Sequence, residues 1–131
     1  MKYWIITAKG ITYRLIRHKA ILFEDNGEWF VTHHCEDGVQ LESLASFLAP
    51  GRKVLSKEEH NCESAHQIRA YYAYHKDDEF KSLTNNCEHY VNGFRNMNGE
   101  IVAVGSPQVA VIIGLLLIVI GLIVAYKFKW L

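Results

Sequence analysis

The sequence predicts an α+β protein, a small antiparallel sheet packed on helices, followed by one C-terminal transmembrane helix. Three observations carry that expectation. Asn26-Gly27 lies between two apolar runs, the strongest short signal for a β-hairpin. Several later segments, ending with the one after Cys87, carry apolar residues at helical spacing. Val109 to Tyr126 has no charged residue. About 18 residues at ~1.5 Å each rise roughly 27 Å, near the ~30 Å of a bilayer's hydrocarbon core.

In chain order, Tyr3 to Ala8 reads as a strand and Lys9-Gly10 as a turn. Residues 11–16 are β-branched and apolar enough for another strand. His18 to Asp25 runs into Asn26-Gly27, and Trp29 to His34 returns as its partner. Antiparallel pairing would bring His18, at the start of this hairpin, close to His33 and His34 at its end. Val39 to Leu41 is a short extended piece. Leu44, Phe47 and Leu48 form one helical face, stopped by Pro50-Gly51. Arg52 to Leu55 reads as a short strand. Ser56 to Glu59 has capping-box spacing, which predicts a helix over much of 57–75 with Ile68, Tyr71, Tyr72 and Tyr74 toward the core. Lys76-Asp77-Asp78 is a solvated turn. Asn85 and Asn86 sit where a helix beginning at Cys87 needs its cap, and Asn92-Gly93 or Asn98-Gly99 ends that helix.

The chain divides into a domain over 1–97, a linker at 98–108, a transmembrane helix at 109–126 and a short tail at 127–131. Ser106 and Pro107 suit the start of the span; Tyr126, Lys127, Lys129 and Trp130 suit an interfacial anchor. Single-pass membrane localisation with a C-terminal anchor is therefore expected, with the bilayer as a partner. Ala110, Gly114, Gly121 and Ala125 form a small-residue stripe that would let two such helices approach as a homodimer.

Among 131 residues, 14 basic side chains balance 14 acidic ones. With no basic block interleaved with aromatics, nucleic acid is an unsuitable partner. Cys35, Cys62 and Cys87 are too few and odd in number for a disulfide framework, which fits a reducing, cytoplasmic compartment.

Cys87 in the first turn of a helix would lie near unpaired N–H groups and the positive end of the helix dipole. That environment lowers a thiol's pKa and activates it as a nucleophile. The same pattern also describes a capped helix with an inert, buried cysteine. Thiol catalysis needs a histidine to shuttle the proton and a polar group to hold that histidine's tautomer. His18, His33 and His34 are the available candidates. A metal site is the competing chemistry, from His33, His34 and Cys35, from Cys87 and His89, or from Cys62 and His66. Adjacent strand residues point to opposite faces, and no Cys-x-x-Cys spacing is present, so no metal or other cofactor is expected.

Asn86-Cys87-Glu88-His89-Tyr90-Val91, preceded by Leu83-Thr84-Asn85, resembles the signature of the lecithin:retinol acyltransferase-like family, which includes phospholipase A/acyltransferases. His18-Lys19-Ala20-Ile21, Val31-Thr32-His33 and the segment from Gly38 to Arg52 resemble that family's parts in the same order. The resemblance implies a permuted papain-like fold, with Cys87 as nucleophile, His18 as general base and acid, and His33 as the orienting group. His34 would substitute for His33 if the hairpin register were shifted by one. It further implies attack on phospholipid acyl esters through a Cys87 thioester, completed by hydrolysis or acyl transfer. A thiol peptidase or amidase, and a non-catalytic membrane-remodelling protein that keeps the fold, remain as alternatives.

Overall fold

The computed structural model describes residues 1–9, 17–81, 86–100 and 107–128, with the side chains of 107–110 outside the description. The expected turn at Gly10, the strand at 11–16 and Asn85 lie outside the described residues.

The expected hairpin forms. Strands β2 (Arg17–Asp25) and β3 (Glu28–Cys35) pair antiparallel, with Ile21 opposite Thr32 and Asp25 opposite Glu28. Asn26 and Gly27 have φ of 51° and 80°. Two successive positive values make the turn whose twist matches that of the flanking strands. Around this hairpin, β1 (Lys2–Lys9) pairs with β2 and β4 (Gly38–Ser43) with β3, while β5 (Lys53–Asn61) pairs with the far side of β1. The result is one five-stranded antiparallel sheet in the order β4-β3-β2-β1-β5.

Helix α1 (Leu44–Leu48) follows β4 directly; the Ser43 side chain caps it by accepting from the Ser46 N–H. Its Phe47 packs with Ile6, Ala8, Ala20 and Val31 in a small core on one face of the sheet. The larger core lies with helices α2 (Ala65–His75) and α3 (Cys87–Met97), and includes Tyr3, Phe23, Ile68, Tyr71, Tyr90 and Phe94. Each face is therefore covered unequally, one by a single short helix and the other by two longer ones.

The region 52–75 corrects the sequence reading. Ser56 to Glu59 belongs to β5, opposite Thr7 to Trp4, and α2 begins only at Ala65. Capping-box spacing is a local preference, and the ladder to β1, with eight paired residues, engages the same backbone groups. Ile68 and Tyr71 are buried as expected, whereas Tyr74 is 83% exposed. Of the two candidate stops for α3, Asn98-Gly99 is the one used, with Gly99 at φ 89°.

The C-terminal segment requires a second correction. Helix α4 (Pro107–Lys127) forms, and its described apolar side chains are largely exposed, Leu117 at 64% and Ile123 at 60%. Among the described residues, however, no helix is long and apolar enough to cross a membrane. The transmembrane span at 109–126, and the membrane localisation that depended on it, are therefore not supported.

At Gly93, α3 lies against the Tyr71 side chain of α2. A Cβ there would meet the Tyr71 hydroxyl oxygen at 2.6 Å. That hydroxyl donates to the Tyr90 carbonyl at 2.6 Å, so it cannot retreat without leaving a buried donor unpaired. Gly93→Ala is expected to destabilise the fold by about 1–3 kcal/mol despite the better helix propensity of alanine. Urea unfolding checks this; a variant as stable as the parent would refute the account of the contact.

Candidate active site

Alternation along the β2–β3 pair places His18 and His33 on the α1 face, with Thr32 and His34 on the face covered by α3. His18 Nε2 lies 2.7 Å from His33 Nδ1, the rings being almost perpendicular. The other nitrogen of His33, Nε2, is 2.7 Å from Glu42 Oε2. Ser46 donates its hydroxyl to Glu42 Oε1 at 2.8 Å. A hydrogen-bonded chain thus runs from β2 through β3 and β4 into α1. Phe47 braces it, stacking on His18 and meeting the edge of His33. The Arg52 guanidinium sits over the Phe47 ring, 4.7 Å from its centroid, and donates to the Phe47 carbonyl.

Burial sets the charge states in this chain. It carries the His18 pKa down to about 3, with His33, Arg52 and His34 adding to the effect. Burial also lowers His33, against an opposing hydrogen bond from Glu42. For Glu42 itself burial works upward, but the hydrogen bonds from His33 and Ser46 outweigh it and hold the carboxyl below its usual range. Near neutrality the chain is therefore two neutral imidazoles ending on a carboxylate.

Cys87 opens α3 as expected. Asn86 caps the helix, its side-chain oxygen accepting from the N–H groups of Glu88 and His89, at 3.0 and 3.2 Å. His89 is tied to the same cap through Nδ1 at 2.9 Å from Asn86 Oδ1. The Cys87 thiol is buried and held by backbone groups of Lys19, Glu88 and Cys87 itself. Helix α3 packs against β2 and β3, so the nucleophile candidate meets β2 at the residue after His18. The thiol's hydrogen bonds run to backbone rather than to the His18 ring. Nor is the pKa lowered as the helix start suggested: burial raises it, and the backbone hydrogen bonds only partly offset that. Cys87 rests as a neutral thiol.

His34 stands apart from the chain. It is buried against Phe80 and Tyr90 on the opposite face, where burial lowers its pKa. In the observed register the orienting position belongs to His33. Cys35 and Cys62 are free thiols hydrogen-bonded to the carbonyls of Gly38 and Ser64. Among the described residues, no group of three or more His, Cys, Asp or Glu is placed to hold a metal ion. A groove of about 780 Å³ opens between α2 and α3, lined by Tyr71, Tyr74, His75, His89 and Met97 among others. Neither Cys87 nor His18 nor His33 borders it, so size alone does not mark the chemistry.

Sequence reasoning missed Glu42 and Ser46. Glu42 pairs with Val31 across β3–β4, which puts it on the face of His33. The positive φ of Gly38, at 101°, helps set that register, and a register assignment from the Gly38 turn was the signal that could have found it. Comparisons with protein families, curated proteins and solved structures find no match for this chain.

Two measurements follow from these charge states. An unfolded histidine titrates near ~6.5, whereas folded His18 does so at about 3. Between those values the unfolded chain binds a proton that the folded chain refuses, so stability falls as pH drops through this window. Urea midpoints at pH 7 and pH 4.5 should differ more in the parent than in His18→Gln; equal differences would count against it. Alkylation of Cys87 by iodoacetamide should accelerate only above the ordinary thiol range, because the folded pKa is raised. Rapid alkylation at pH 6 would show a preformed thiolate instead.

Proposed function

We propose that this chain is a cysteine-dependent acyltransferase or phospholipase A acting on acyl esters of phospholipids. The observation that carries the reading is the His18–His33–Glu42 chain, which ends beside the Lys19 backbone that holds Cys87. A buried imidazole relay of this kind serves proton transfer, and a capped helix start beneath a thiol serves acyl transfer. The resemblance of Asn86 to Val91, with His18 and His33 in order, supports the ester substrate. Arg52, beside the relay, supplies a cation suited to an ester that carries a phosphate.

In this mechanism the Cys87 thiol turns from the Lys19 backbone toward His18, which takes its proton as Sγ attacks the ester carbonyl carbon. Collapse of the tetrahedral intermediate breaks the carbon–oxygen bond. The departing alkoxide takes the proton from His18 and leaves as a lyso-lipid, with the acyl group on Sγ. Water, or an acceptor hydroxyl or amine, then gives a proton to His18 and attacks the thioester. The C–S bond breaks and the thiolate recovers that proton. With the Glu88 and His89 N–H groups taken by Asn86, the Cys87 N–H at the first position of α3 provides the donor for the oxyanion. Starting from a neutral thiol and a neutral imidazole, the proton moves during attack rather than before it.

Incubating the full chain with acyl-labelled phosphatidylcholine vesicles, followed by intact-mass spectrometry, tests the reading. Released fatty acid and an acyl adduct on Cys87 are expected, both lost in Cys87→Ala. Unchanged lipid turnover in Cys87→Ala would exclude the mechanism. Cleavage of an acyl amide or peptide, with no ester cleavage, would move the protein to the peptidase class.

A further inference from the structure

We propose that Glu42, locked by Ser46, is a positioning residue that sets the tautomers of both imidazoles and leaves Nδ1 of His18 as the proton acceptor. An ionised carboxylate can only accept hydrogen bonds. Its Oε2 is 2.7 Å from His33 Nε2, so that nitrogen carries a proton. A neutral His33 then presents a bare Nδ1. His18 Nε2 lies 2.7 Å from that bare nitrogen and must be its donor. A neutral His18 with its proton on Nε2 has one unprotonated nitrogen left, Nδ1.

The polarity of the whole chain is therefore decided at its far end, two hydrogen bonds from the base. Reversing any link would put a proton on His18 Nδ1 and remove the acceptor. Ser46 protects the setting by occupying the second carboxylate oxygen. Its own backbone N–H is fixed by the Ser43 side chain at 3.1 Å, so α1 holds the anchor as well as the Phe47 brace. Burial keeps both imidazoles neutral, which the scheme requires, because a cationic His33 would donate from Nδ1 and invert the chain. Glu42 need not touch substrate; it acts through His33.

The catalytic consequence rests on the reading of Cys87 and His18 as nucleophile and base, but the tautomers can be read without activity. In the ¹⁵N-labelled 131-residue chain at pH 7, two-bond imidazole correlations should show both His33 and His18 protonated on Nε2 and bare on Nδ1. Glu42→Met keeps the length of the side chain and removes the acceptor; it should give mixed or reversed tautomers at both rings. Glu42→Gln, which retains an acceptor oxygen, should preserve more of the parent pattern. Turnover of the labelled phospholipid should fall on the order of 10²-fold in kcat for Glu42→Met, with KM little changed.

A parent protein with His18 protonated on Nδ1 would overturn the assignment, as would unchanged tautomers in a folded Glu42→Met. Should Glu42→Met not fold, the parent spectrum and Glu42→Gln decide the matter. Tautomers as assigned with no ester turnover in the parent would retain Glu42 in its role and reject the lipid-ester reading instead.

Discussion

The register of the β2–β3 hairpin is the constraint on which the rest depends. Side chains alternate strictly along a strand, so a slip of one residue would exchange every inward group for its neighbour. With Ile21 opposite Thr32, His33 meets His18 while His34 turns to Tyr90. With the slipped pairing, those two histidines would trade places and Thr32 would lose its hydrogen bond to the Tyr90 hydroxyl. The Asn26-Gly27 turn enforces the observed choice locally, and burial on both faces enforces it globally. Val31 belongs under Phe47, and Thr32 belongs over α3.

The two faces of the sheet divide the labour. Helices α2 and α3 enclose the larger aromatic core, where Tyr3, Tyr71 and Phe94 pack edge to face. The other face carries a smaller apolar cluster beside which the imidazole chain lies. A polar chain is costly to bury unless every member is paired, and here each link passes its hydrogen bond to the next. The arrangement also explains why Cys87 and His18 differ in their surroundings. One belongs to the helix that seals the main core, the other to the face braced by α1.

What could be read in the sequence followed from how local each signal was. The hairpin, the α1 stop at Pro50-Gly51 and the capped start of α3 are written in adjacent residues, and all three appear in the structure. The proximity of His18 and His33 needed only antiparallel pairing. Glu42 needed a second pairing, β3 with β4, whose register is set in space. Ser56 to Glu59 failed for the opposite reason: a convincing local cap was overridden by a ladder to residues about fifty positions earlier. The raised pKa of Cys87 was equally hidden, because helix position was visible while depth of burial was not. At the C-terminal end, apolar composition suggested a span that the described helix does not provide.

The same β5 that displaced the expected helix has a consequence for how the molecule behaves among its copies. It is an outer strand of the sheet, and nearly all of its residues are exposed. An open row of backbone donors and acceptors invites a second sheet to dock and extend. Lys53, Lys57, Glu58 and Glu59 line that row with both signs of charge, and Lys2 reaches across to Glu59. An approaching identical edge must strip water from these charges before its backbone can bond. The polar pattern that imitates a helix cap thus keeps a five-stranded sheet from becoming the seed of a larger one.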